Sequence, residues 1–405
     1  MLFGPWTALV VVGVDVGMLT MRHMGYLGES MYLVRTLPIG FVIIGPLLAG
    51  VAATDAARIS QAGNIGLVMA VRRRRMRYLW AWWWTILPAS GFHTAAFAVM
   101  VLVGGDLDPR GGWLRLLLAF LVQLAVFSWF TALGSVFGRF LPTAIAALAA
   151  AATAFVAVYY LTGATAEQPR FSVFGDLGAT VTQVGVLFNP AQLLLQLALL
   201  SGSAAALLWA PVRLVRERPS LRPAGTLACV AVVVALCLAQ RVLPAALLVS
   251  DPSPPDTCVG DQPVVCYYHE HARYATPYID LIARASRAAL DNGYGAFVPR
   301  RMDEVSRRYT PGDPDVTALD PFEVNYPGDD YLVETFVFPM QCPQVHSDQP
   351  PSDEFWRNQR LLTATWMSLM GREYGPLDAA EASLVPLEPE EVAATMSALR
   401  SCDFE

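Results

Sequence analysis

Apolar residues in this chain gather into long unbroken runs up to about residue 240 and into short, interrupted stretches beyond it. A helix rising 1.5 Å per residue needs about 20 apolar residues to cross hydrocarbon. The pattern predicts seven such spans, at about 2–21, 37–57, 82–103, 113–137, 143–162, 191–212 and 224–240, the last close to the minimum length. The second is rich in small residues (Gly40, Gly45, Gly50, Ala52, Ala53), which let helices approach closely where no hydrophobic force acts between them. After it, Ile59, Ala62, Gly66 and Met69 recur at three to four residues, predicting a segment lying along the membrane surface over 58–70. Residues 163–190 are irregular, with Val173, Leu177, Val181 and Val184 at the spacing of a short interfacial helix.

Beyond the apolar runs, Pro-rich residues 250–256 read as a stiff linker. Residues 257–405 then read as a small soluble α+β or α/β domain. The pattern predicts a strand over 263–268 and an amphipathic helix over 273–292. A second strand is expected over 332–339 (Val333, Phe336, Val337, Phe338), bounded by Pro-Gly and Pro. A helix over 353–373 is capped by Ser352 or Asp353, and a last helix covers about 389–401. The fold class is therefore an α-helical polytopic membrane protein with a C-terminal globular domain.

The junction at residue 72 orients the whole. Arg72, Arg73, Arg74, Arg75 and Arg77 run directly into Trp80, Trp82, Trp83 and Trp84, and an uncharged stretch follows. Each arginine would cost about 2.5–3.5 kcal/mol in hydrocarbon, and tryptophans favour headgroup depth. The order is basic loop, aromatic belt, span. With the arginine loop cytoplasmic, alternation places eleven arginines inside and five outside, so the N-terminus is inside and residues 250–405 are extracytoplasmic. The lipid bilayer is the first expected partner, and the basic loops orient the chain there; they do not form a nucleic-acid groove.

Charge and cysteine divide at the same boundary. Residues 1–250 hold seventeen arginines and eight acids, and residues 251–405 hold eleven and twenty-six. The chain contains no lysine, so a P-loop for nucleotide hydrolysis is excluded. Cys229 and Cys237 lie in an apolar run, whereas Cys258, Cys266, Cys342 and Cys402 lie in the acidic half. Four cysteines allow three pairings, of which Cys258–Cys266 closes a short loop and Cys342–Cys402 ties down the C-terminus.

Candidate chemistry is sparse. Asp15 and His93, inside predicted spans, are each expected to be packed in the bundle in a hydrogen bond, and with Gln123 of the fourth span they mark a candidate intramembrane polar site. His269 and His271 alternate across Glu270; on a strand they would share a face and could ligate zinc, with His346 or a carboxylate as a third ligand. No nucleophile–base pair is legible, and neither an enzyme activity nor a cofactor is expected.

Residues 45–58 (Gly-Pro-Leu-Leu-Ala-Gly-Val-Ala-Ala-Thr-Asp-Ala-Ala-Arg), Gly63 and the arginine-rich approach to the third span resemble actinobacterial ABC-2-type transporter permeases. The six-span pattern over residues 2–212 is similar to theirs, as is an added last span leading to Cys258 and to Cys266-Tyr-Tyr-His-Glu-His-Ala-Arg. The resemblance implies an exporter subunit that pairs with a separate ATP-binding subunit, as a homodimer or with a second permease. Coupling would run through Arg58, Arg72, Arg73, Arg74, Arg75 and Arg77. Two features depart from it: Met1-Leu2-Phe3-Gly4 lacks a basic amphipathic lead, and the surface segment carries little charge. The alternative is a non-transporting, membrane-anchored sensing or binding protein that presents its C-terminal domain outside the cell.

Overall fold

The computed structural model describes residues 4–21, 28–60, 74–104, 109–161, 182–209, 247–313, 315–323, 328–337, 352–375 and 377–401. The chain divides into two compact units, one over 1–24, 29–181 and 187–249, the other over 25–28, 182–186 and 250–405.

The first unit is a helical bundle. Helix α1 (Gly4–Met21) is followed by α2 (Ser30–Thr36), a 3-10 turn (Leu37–Gly40) and α3 (Phe41–Ser60). Then come α4 (Arg74–Gly104), α5 (Trp113–Phe140), α6 (Thr143–Leu161) and α7 (Pro190–Trp209). Among the described residues, four helical stretches are long and apolar enough to cross a membrane: Ser30–Ile59, Leu79–Leu102, Trp113–Phe140 and Pro190–Trp209. Trp6–Gly17 and Thr143–Val158 are shorter apolar helices. The first six predicted spans thus all fall on helices. The seventh, at 224–240, lies outside the described residues, as do most of the surface segment after Ser60 and nearly all of the helix expected around Val173. The second predicted span begins earlier than expected, at Ser30, because Pro38 sits in the first turn of the 3-10 segment, where its missing N–H costs nothing.

Helix α3 is the centre of the bundle, with α5 and α6 both against it. Gly45, Ala49, Ala53 and Ala57 recur every four residues and so line one face. Gly134 and Gly138 of α5 meet that face. A Cβ at Gly134 would lie 2.0 Å from the Ala49 carbonyl oxygen, and one at Gly138 2.2 Å from that of Ala53. Only hydrogen at these two positions permits so close a backbone approach. On the outside, Trp80, Trp83, Trp84, Leu87, Phe92 and Leu102 of α4 are exposed, an apolar surface suited to lipid rather than water.

The second unit is a mixed sheet with helices. Strands β1 (Val186–Phe188) and β2 (Leu248–Ser250), most of whose residues fall in the first unit, pair as a separate two-stranded ladder. The main sheet has the order β3 (Thr257–Val259), β4 (Val264–Tyr267), β5 (Arg301–Glu304), β6 (Val316–Leu319). Its first pair is antiparallel and the other two pairs are parallel. Helix α8 (Ala275–Asp291) connects β4 to β5, as a parallel pair requires. Tyr278, Leu281, Ile282, Ala285 and Ala289 of α8 are buried in one core with Met302, Phe322 and Trp366.

The expected strand over 332–339 is instead a helix, α9 (Asp329–Val337), in its described part. Leu332, Val333, Phe336 and Val337 fit a 3.6-residue period as well as a run of β-formers, and Asp329 and Asp330 favour the positive end of a helix. The side chain of Glu334 accepts a hydrogen bond from Gln359 on α10 (Asp353–Leu369). Ser352 caps α10 as expected, accepting from the Phe355 N–H at 3.2 Å. Helices α11 (Ala379–Ala382) and α12 (Pro389–Ser401) close the unit.

Gly138→Ala and Gly91→Ala are the same substitution in two helices, and nothing lies within 4 Å of a Cβ at Gly91. In detergent, Gly138→Ala lowers the unfolding midpoint by the equivalent of about 1–3 kcal/mol, and Gly91→Ala leaves it level or raises it. Equal effects would show that the α3–α5 contact is looser than described.

Candidate functional site

The three polar residues of the predicted spans come together inside the bundle. Asp15 of α1, His93 of α4 and Gln123 of α5 are separated by 78 and 30 residues, yet they form one chain of hydrogen bonds. Asp15 Oδ2 lies 2.9 Å from His93 Nδ1, and His93 Nε2 lies 3.0 Å from Gln123 Oε1. Gln123 Nε2 donates to the Val34 carbonyl of α2 at 2.9 Å. Asp15, His93 and Gln123 are 1%, 0% and 4% exposed. Three phenyl rings surround the imidazole, with centroids 4.8 Å (Phe127) and 6.0 Å (Phe41, Phe120) away.

The proton positions follow from the partners. A carbonyl oxygen only accepts, so the Gln123 amide must turn its NH2 to Val34 and its oxygen to the imidazole. His93 Nε2 must then donate. Nδ1 faces a carboxylate, so one further proton lies between Nδ1 and Asp15 Oδ2, on whichever of the two atoms holds it. In either arrangement the Asp15–His93 pair has zero net charge. That suits a water-free interior, where an uncompensated charge costs several kcal/mol. Asp15 Oδ1 has no hydrogen-bond partner among the described residues.

Gln123 also lines a cavity of about 30 Å³, together with Arg35, Pro38, Phe41, Phe188 and Gln196. That is room for a water molecule. Elsewhere in the bundle, Thr36, Thr85, Thr131 and Ser135 each bond the carbonyl four residues earlier. Arg139, buried at the end of α5, donates to the Leu208 carbonyl in the last turn of α7. It thereby satisfies an acceptor that the helix end would leave open.

The arginine set is described in part. Arg58 ends α3, with Nη1 4.0 Å from Asp55 Oδ1. Arg74, Arg75 and Arg77 lie in the first turn of α4, and Arg72 and Arg73 fall outside the described residues.

In the second unit, Cys258 and Cys266 are disulfide-bonded across the β3–β4 pair. Cys342 and Cys402 lie outside the described residues, as does His346. The proposed pairing of His269 with His271 as zinc ligands is not formed. Residues 269–271 are a 3-10 turn rather than a strand, so the two histidines diverge. His271 is fully buried, with Nδ1 2.5 Å from Glu304 Oε1, while His269 is half-exposed and bonds Asp256.

Glu304 was not legible as important. It ends the central strand β5 and is fully buried. Besides His271, it accepts the Phe322 N–H at 2.6 Å and the Tyr268 N–H at 2.8 Å. One carboxylate at the end of β5 thus ties together the segments that follow β4 and β6. Nearby, burial pushes the Tyr278 phenol up to about 12, so it stays protonated at neutral pH and exchanges hydrogen bonds with Glu323.

No protein-family model, curated protein or solved structure matches the chain.

The buried chain of hydrogen bonds makes a stability prediction. Gln123→Leu leaves both the His93 Nε2–H and the Val34 carbonyl without a partner, and it destabilises the detergent-solubilised protein by about 1–3 kcal/mol. Asp15→Asn can still donate an amide N–H to Nδ1 and costs less. In a double-mutant cycle the two substitutions are non-additive by 0.5 kcal/mol or more, on the order expected for residues in one network. Additive losses would mean that the three side chains are not joined.

Proposed function

We propose that the chain is the membrane-embedded subunit of an ABC-type exporter, working with a separate ATP-binding subunit. The observation that carries this reading is the bundle over residues 4–209: four helical stretches of membrane-crossing length and two shorter apolar helices around a buried ionisable pair. Anchoring alone needs one or two apolar helices and gives no reason to bury an aspartate. Six of the predicted spans that carry the likeness to ABC-2-type permeases fall on helices in that bundle, and the seventh lies outside the described residues. In this reading the ATP-binding subunit docks on the surface bearing Arg58 and Arg72–Arg77, and the acidic unit with its Cys258–Cys266 disulfide lies in the oxidising compartment.

A second reading, a membrane-anchored binding or sensing protein, draws on the second unit's own core and sheet. Affinity purification from the native membrane separates the two. The exporter reading expects an ATP-binding protein to co-purify, and to be lost when residues 58–70 are replaced by a neutral helix of equal length. Recovery of the intact chain without any ATP-binding protein would leave the anchored-module reading standing.

A further inference from the structure

We propose that Asp256, His269 and Glu270 form a binding site for a divalent transition-metal ion, zinc in the first instance. This set differs from the histidine pair that the sequence suggests, and it goes beyond the exporter reading. The ligand atoms of the three residues lie within 4.8 Å of one another. His269 Nδ1 is 2.7 Å from Asp256 Oδ2 and 3.3 Å from Glu270 Oε2. One imidazole nitrogen therefore faces two carboxylate oxygens. As a hydrogen-bond donor it has a single proton to offer between them. A divalent cation in that position takes the Nδ1 lone pair and one oxygen from each carboxylate, and balances both charges.

The donors are held on a rigid frame. Asp256 immediately precedes β3, and His269 follows β4 by two residues. These strands pair Thr257 with Tyr267 and Cys258 with Cys266, and the latter pair is the disulfide. The cross-link thus sits close to the two ligands and fixes their separation. Asp256 is further oriented through Oδ1, which accepts the His269 N–H at 3.0 Å and the Thr257 hydroxyl at 3.2 Å. Glu270 is buried, whereas Asp256 and His269 are about two-fifths exposed, so the ion has an open approach from solvent. Bonds of about 2.0–2.2 Å in a tetrahedral site set ligand atoms roughly 3.3–3.6 Å apart. The His269–Glu270 spacing already fits, and His269 Nδ1 and Asp256 Oδ2 separate by less than about 1 Å to admit the ion.

The donor set selects the metal class. One imidazole nitrogen with two carboxylate oxygens suits zinc or a neighbouring first-row ion, whereas calcium and magnesium favour oxygen alone. Three protein ligands leave a coordination position for water or a substrate group.

The test uses the full-length protein in detergent, with any affinity tag removed and metal stripped by EDTA. Zinc sulfate is titrated against a chromophoric chelator. The expected result is one zinc per chain, with affinity lowered tenfold or more in His269→Ala and in Asp256→Asn. Both are half-exposed positions, and the circular dichroism and the intact disulfide of each variant serve as folding controls. Millimolar calcium leaves the zinc in place. No stoichiometric zinc, zinc affinity unchanged in folded His269→Ala, or displacement by calcium would each overturn the assignment.

Discussion

A bilayer interior offers no water, so every polar group placed there must find its partner within the protein. That constraint explains the Asp15–His93–Gln123–Val34 chain better than any feature of the individual residues. The carboxylate and the imidazole are each costly alone; together they form a neutral pair, and the glutamine amide joins the pair to a backbone carbonyl. Four helices contribute to this one line of hydrogen bonds, so it also fixes how α1, α2, α4 and α5 register. Elsewhere in the bundle, Gly134 and Gly138 admit the backbone of α3 against α5.

The second unit solves a related problem with different means. Its sheet is small, and three short parallel strands bury little by themselves. Glu304 supplies what length does not, gathering N–H donors from the segments after β4 and β6 at the end of β5. A buried carboxylate with three donors is well compensated, and the same residue leaves His271 with a structural role. The sequence neighbour His269 is thereby free to face outward, towards Asp256.

Much of the bundle was legible because long apolar runs admit few alternatives. The helices on which six of the predicted spans fall, the Ser352 cap and the β4 and α8 elements follow from period, capping and composition. What escaped did so for identifiable reasons. The central strand β5 reads Arg-Met-Asp-Glu, a polar string whose acids are buried only because Arg301, Tyr309, His271 and backbone donors meet them. Residues 332–337 carry β-forming side chains, but tertiary contacts and two leading aspartates hold them helical. The Asp15–His93 contact joins positions 78 residues apart, which no local pattern encodes.

The nitrogen-15 spectrum of the His93 ring, recorded on the protein in lipid with selective labelling and a His93→Gln control, tests this account most directly. A protonated Nε2 hydrogen-bonded to an amide oxygen, with Nδ1 coupled to the Asp15 carboxyl, is the predicted result. An unprotonated Nε2, or a ring signal unchanged when Asp15 is replaced by alanine, would contradict the buried neutral pair on which the bundle is built.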